Sequence, residues 1–187
     1  GLALFASAAL GLPTRIMPAG IVFSATLLIY AVDDFFDGRM HAQPWRWCTL
    51  SFGLISVGAH LLWAPTAVAV AVVAGTVPAL FYGMQIRGRR LRELPTIKPF
   101  FVAGSLTTAV VVVPVLWSWS VQEPFPAVSR IAVVAALLFG LVMCNVCFFD
   151  LRDRVDDARA GVRTIPVALG VVRTRWLCLV LCLGVAL

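Results

Sequence analysis

The chain has 187 residues, of which 61% are hydrophobic, with a mean hydropathy of +0.96 and a formal net charge of +6. Soluble domains are only about 45–50% apolar, so the composition excludes that class and predicts an all-α, polytopic integral membrane protein. We interpret the positive charge as an asymmetry between the two membrane surfaces, and we expect no nucleic-acid partner.

Uncharged runs predict about seven membrane segments in one transmembrane domain, residues 1–187. A bilayer core about 30 Å thick needs roughly 20 residues of helix. The longest run exceeds one crossing, so we divide it at Trp63-Ala64-Pro65. The outermost segments are short, and we expect a domain truncated at both ends. The segments are Gly1–Thr14, Ile16–Val32, Trp47–Trp63, Ala64–Ile86, Pro99–Gln122, Ile131–Phe149 and Trp176–Leu187.

Polar residues close the second segment, which we predict to be helical over Ile16–Phe36. They are Tyr30, Asp33, Asp34, Asp37 and His41. On a helix their directions span an arc of roughly 100°. Two interpretations of the histidine stay open, since it could extend this polar face or lie solvated in a loop.

A basic stretch follows the fourth segment, with five cations at Arg87, Arg89, Arg90, Arg92 and Lys98. A loop on the cytoplasmic surface that touches anionic lipid would explain it. An anion clamp over bound metal ions would explain it equally well.

A second acidic cluster follows the uncharged run Ile131–Phe149. On a helix, Asp150 and Asp157 point about 20° apart, with Asp153 about 60° to one side. The three carboxylates repel one another, and a helix that ended here would add its negative end to them. The arrangement predicts a bound cation. Asn145, within the membrane, predicts a polar partner or a cavity.

With Asp156 counted in the second cluster, the two clusters hold seven of the nine acidic residues, which suggests one shared metal site. If both face the cytoplasm, thirteen of the fifteen basic residues lie on that side and only Arg15 and Arg130 lie outside. The positive-inside rule therefore predicts cytoplasmic Asp clusters. The cysteines lie mostly in apolar helices. We predict that they pack there as small hydrophobic side chains and do not form a zinc site.

The second cluster resembles a motif of the UbiA superfamily of intramembrane prenyltransferases. The matching residues are Asp150-Leu-Arg-Asp153-(x)3-Asp157-(x)3-Gly161-(x)2-Thr164-Ile-Pro166-(x)3-Gly170. Tyr82, the basic stretch, Pro95 and Lys98 also fit. The resemblance covers nearly the whole chain and implies a UbiA-like helical bundle, with about seven segments present of an expected nine.

The first cluster departs from the usual family form, Asn-Asp-(x)2-Asp-(x)3-Asp. Setting Asp33-Asp34 on Asn-Asp matches Asp37 but places His41 at the last position. Setting Asp33 and Asp37 on the last two aspartates gives Tyr30-x-x-Asp33-(x)3-Asp37, which resembles a less characterised branch. We prefer the second alignment.

The resemblance implies a Mg²⁺-dependent transfer of a prenyl group from a polyprenyl diphosphate to an aromatic or other lipophilic acceptor in the bilayer. Tyr30 could orient the acceptor or serve packing. The implied metal ligands are Asp33, Asp34, Asp37, Asp150, Asp153 and Asp157. Of these, Asp33, Asp37, Asp150 and Asp157, with Tyr30, are the implied catalytic residues. Arg90, Arg92, Lys98 and Asn145 are the implied diphosphate contacts.

Three other classes are weighed against this one. A non-catalytic relative that binds lipid or a partner is the main alternative. A CDP-alcohol phosphotransferase would begin its motif at Asp37-Gly38, but Ala42-Gln43 does not continue it. A transporter would place its ionisable residues midway through the membrane, and here they cluster at segment ends.

Overall fold

The computed structural model describes residues 1–36, 43–83, 85–86, 89–90, 97–159, 161 and 163–186. In these residues the fold is all-α, as predicted, with eight helices and one minimal antiparallel hairpin. The helices are α1 (Leu2–Leu10), α2 (Ile16–Phe36), α3 (Trp45–Trp63), α4 (Thr66–Gly83), α5 (Ile97–Ser120), α6 (Val128–Arg159), α7 (Ile165–Leu169) and α8 (Val171–Ala186). The hairpin pairs β1 (Gln85–Ile86) with β2 (Arg89–Arg90), inside the predicted basic loop.

All seven predicted segments appear as helices, and α7 is an additional short helix of five residues. The predicted bounds of α2 are confirmed, as is the turn between α3 and α4. Three of the described helices are long and apolar enough to cross a bilayer, over Ile16–Phe36, Pro99–Ser120 and Val128–Arg159. These helices support the assignment of the chain to the membrane.

The chain divides into two compact units. The first contains Gly1–Met84 and Thr108–Val134, and the second contains Gln85–Thr107 and Ala135–Leu187. Helices α5 and α6 contribute residues to both units.

In the first unit, α2 packs against α1, α3 and α4. Small polar side chains join α2 to α3, where the hydroxyl oxygens of Ser24 and Ser56 lie 2.7 Å apart. Nδ1 of His60 lies 2.7 Å from the carbonyl oxygen of Ser56, to which its N–H donates. Such hydrogen bonds satisfy polar groups where hydrocarbon offers none. His60 therefore serves helix packing.

The loop before α2 and the loop before α6 also meet in the first unit. Arg15 forms an ion pair with Glu123. Nε of Arg130 donates to the carbonyl oxygen of Ala9 at 2.8 Å. Gly11 ends α1 with a φ of 74°, and a Cβ at this position would lie 2.8 Å from the Arg130 guanidinium. The positive φ favours glycine at this position, whereas the guanidinium is the end of a flexible side chain that could shift away from an added Cβ.

In the second unit, α6 ends at a turn that leads into α7. Gly161 has a φ of 72°, and its N–H donates to the carbonyl oxygen of Ala158 at 3.2 Å. A left-handed residue of this kind stops a helix, and glycine adopts it without steric cost. The short helix α7 then packs against α8. The motif glycine thus lies where α6 stops, four residues after Asp157.

Candidate active site

The candidate site is built on α6, which continues ten residues beyond its apolar run. The run Ile131–Phe149 is about 28 Å long as a helix, close to the thickness of a bilayer core. Asp150 is the first charged residue after this run. Helix α6 continues past Asp150 and ends at Arg159, two residues beyond Asp157. The helix dipole acts within the last turn, so it affects Asp157 and not Asp150.

The carboxylates of Asp150, Asp153 and Asp157 lie on one side of α6, here called the α6 carboxylate face. Asp150 is only 2% exposed. Met143 and Cys147, seven and three residues earlier, are buried on the same side of the helix. Asp153 and Asp157 are partly exposed. The face therefore begins within the packed interior and becomes more accessible toward the end of α6.

Two arginines near the end of α6 pair with aspartates of the same helix. Nε of Arg152 donates to Oδ1 of Asp153 at 2.7 Å, and its guanidinium lies 5.2 Å from the Phe149 ring. Arg159 pairs with Asp156 at 3.5 Å, and both side chains are about four-fifths exposed. Exposed pairs of this kind contribute little to stability. Asp156 thus differs from the α6 carboxylate face in both exposure and direction.

At the end of α2, Asp34 forms an ion pair with Arg46 of α3. The same arginine stacks over Trp45 at 5.3 Å. Asp33 is partly exposed, and Tyr30 is 62% exposed. Asp37 and His41 lie outside the described residues. The pair joins the end of α2 to α3. The choice between the two alignments of the first cluster stays a prediction.

The predicted anion clamp lies largely outside the described residues. Arg92 is not described, and for Arg90 and Lys98 only the backbone is, in β2 and in the first turn of α5. Asn145 is described and is exposed on α6. Its direction is about 140° from that of Asp150, so α6 does not bring the amide onto the carboxylate face.

The donor chemistry of the face fits magnesium. Within the described part of the chain, no group of three His, Cys, Asp or Glu side chains is gathered closely enough to hold a metal ion. Magnesium is usually held by one or two carboxylates, with water and substrate phosphates completing its coordination. Oxygen ligands spaced along one helix face are suited to hold magnesium together with water and phosphate. They are less suited to form a closed cage of protein ligands alone.

Two residues of the second unit with buried hydroxyl groups were not predicted as site residues from the sequence. Thr164 precedes α7 at the N-cap position but makes no side-chain cap hydrogen bond. Its hydroxyl oxygen, and that of Thr107 on α5, are buried with no hydrogen-bond partner among the described residues. Buried hydroxyl groups are normally satisfied. The sequence signal was present for Thr164, which belongs to the quoted motif.

Comparison with known proteins identifies the class. The model of the UbiA prenyltransferase family matches residues 34–187, which is most of the chain. The protein therefore belongs to the UbiA prenyltransferase family, and the predicted resemblance is confirmed at that level. No curated protein and no solved structure matches the chain. The match includes α6 with all its aspartates and begins at Asp34, so Tyr30 and Asp33 precede it.

Proposed function

We propose that the protein transfers a prenyl group from a polyprenyl diphosphate to an aromatic or other lipophilic acceptor within the membrane, with Mg²⁺ as cofactor. The observation that carries the proposal is the burial of Asp150, which directly follows the apolar run of α6. The family match covers this helix. A carboxylate is costly to bury beside hydrocarbon, and ionisable residues placed there usually serve function.

Asp150, Asp153 and Asp157 would hold magnesium together with the diphosphate. Bound magnesium would neutralise the negative charge that grows on the diphosphate as the carbon–oxygen bond breaks. The aspartates fix the position of the diphosphate at the end of the apolar run, so the prenyl chain extends into hydrocarbon. Departure of pyrophosphate leaves an allylic cation, which an electron-rich acceptor captures.

The basic stretch supplies the second part of the proposal. Arg90, Arg92 and Lys98 would stabilise the leaving pyrophosphate, since cations directed at developing negative charge lower the barrier. The packed helices exclude water, which would otherwise capture the allylic cation. Asp33 and Asp37 would also act as ligands of magnesium, and both clusters would face the cytoplasm.

The proposal is tested by measuring pyrophosphate release from farnesyl and geranylgeranyl diphosphate in proteoliposomes, with and without Mg²⁺, across a panel of lipophilic aromatic acceptors. We expect release that requires both Mg²⁺ and an acceptor, together with a prenylated product. The matched pair of variants is Asp150→Asn, expected to be inactive, and Asp156→Asn, expected to be active. Equal activity of the two variants would contradict the proposal.

A non-catalytic role is the second candidate, and the ion pair between Asp34 and Arg46 favours it, because one aspartate of the first cluster already has a structural partner. A protein with this role would bind the prenyl diphosphate, or another lipid, without turnover. Binding without product from any acceptor would select this candidate.

A further inference from the structure

Four of the five cysteines lie on two helices of the second unit, where α6 and α8 approach each other. Cys144 and Cys147 are three residues apart on α6, and Cys178 and Cys182 are four residues apart on α8. Both spacings place the two members of a pair on the same side of their helix. The two helices therefore present thiols to each other.

The Sγ atoms of Cys144 and Cys182 lie 3.4 Å apart. The S–H of Cys144 is also 3.8 Å from the carbonyl oxygen of Cys178, one turn earlier on α8. A disulfide has a sulfur–sulfur distance of about 2.05 Å, so bond formation needs a closure of roughly 1.4 Å. Rotation of one cysteine side chain supplies a movement of that size.

The two thiols differ in accessibility. Cys144 is buried and Cys182 is exposed, and both are free thiols. Both lie in apolar stretches, Cys182 within Trp176–Leu187, where a hydrophobic oxidant concentrates and a charged, water-soluble reductant does not enter. The chemical class of oxidant that suits this location is a lipid-soluble quinone.

We propose that Cys144 and Cys182 form a redox modification site, at which a lipid-soluble quinone oxidises the two thiols to a disulfide that joins α6 to α8. Both S–H bonds break and one S–S bond forms. The two electrons and two protons reduce the quinone to its quinol. The cross-link would fix α8 to the helix that carries Asp150.

The test uses the full chain in proteoliposomes, with Cys48 replaced by Ser so that the exposed thiol of α3 cannot cross-link two molecules. Duroquinone is the probe, because its ring is fully substituted and resists addition of thiols. After free thiols are blocked with N-ethylmaleimide, trypsin cleaves at Arg130, Arg152 and Arg175. Mass spectrometry then detects any link between the peptide Ile131–Arg152 and the peptide that begins at Trp176.

We expect a linked peptide that dithiothreitol separates and that is lost in Cys182→Ser and in Cys144→Ser. Cys147→Ser and Cys178→Ser are the matched controls, and the link should persist in both. Recovery of only blocked, unlinked peptides after duroquinone treatment would overturn the proposal. A link that persists in Cys182→Ser would overturn it too, because a different pair would then be responsible.

Discussion

Two charged regions of the molecule are built in different ways. In the first unit, Arg15 and Arg130 reach partners more than a hundred residues away, at Glu123 and at the backbone of Ala9. On α6, by contrast, Arg152 and Arg159 pair with aspartates of their own helix, Asp153 and Asp156, while Asp150, on the same face as Asp153, is buried. Long-range pairs hold loops in place. The binding site proposed at α6 rests on the burial of Asp150. The comparison predicts that charge removal will affect stability in the first region and activity in the second.

The largest effect is expected at Asp150. Replacing Asp150 with Asn keeps the shape of the side chain but removes the charge that would bind magnesium and diphosphate. We expect turnover to fall by about 100- to 1,000-fold, as when a group that stabilises transition-state charge is lost. Asp156→Asn, on the exposed side of the same helix, should stay near wild type. Both are measured as product formed per minute at equal amounts of folded protein.

The first acidic cluster offers a sharper version of the same contrast. If Asp33 belongs to the motif and Asp34 serves the pair with Arg46, then Asp33→Asn should lower turnover by about 100-fold. Asp34→Asn should lower it by less than about tenfold, with the main effect on melting temperature. The reverse order of the two variants would favour the alignment that places Asp33-Asp34 on Asn-Asp.

A backbone change at the end of α6 should act on stability. Gly161 has a φ of 72°, and a Cβ added there meets open space, so the left-handed conformation alone determines the cost. Gly161→Ala should destabilise the protein by about 1–2 kcal/mol. Gly104→Ala on α5, also with open space around the added Cβ, is the control and should be neutral or slightly stabilising. Unfolding in mild detergent with increasing denaturant measures both, and equal effects would contradict the assignment.

The smallest effect is expected at the loop ion pair. A hydrogen bond from the Arg15 side chain, helped by one from Ser118, lowers the pKa of Glu123 below its ordinary value near 4.5. Because this pKa is lower in the folded protein, the pair stabilises the fold above about pH 4.5, and that contribution is lost as the pH falls through the lowered value. Glu123→Gln should reduce the melting temperature by a few degrees at pH 7 and leave turnover unchanged. Its melting temperature should also decline less on acidification than that of wild type, and an identical decline in both would contradict the pKa assignment.

The sequence predicted the parts of the fold that depend on local pattern. The bounds of α2 and the turn after Trp63 follow from apolar runs and from Pro65, and both are confirmed. Helix α8 begins at Val171, before the predicted segment Trp176–Leu187, because an uncharged run excludes Arg173 and Arg175. Arginines at a helix end can extend to the membrane surface while their backbone stays helical.

The sequence predicted which residue types of the site share one helix face. It did not predict how deeply each of these side chains is buried. Helical spacing places Asp150 beside Asp157, but only packing shows that Asp150 is buried while Asp156 is exposed. The pair of Arg15 with Glu123 and the contact of Cys144 with Cys182 join distant segments, so no local pattern could reveal them. The shared site of the two acidic clusters stays a prediction.

The most direct test is a binding measurement that does not depend on knowing the acceptor. Farnesyl thiodiphosphate, which resists ionisation, is titrated onto the protein in nanodiscs, with and without Mg²⁺, for wild type, Asp150→Asn and Asp156→Asn. The account predicts Mg²⁺-dependent binding to wild type and to Asp156→Asn, and a loss of at least about tenfold in affinity for Asp150→Asn. Equal affinity of the three proteins, or an affinity that does not depend on Mg²⁺, would contradict the account.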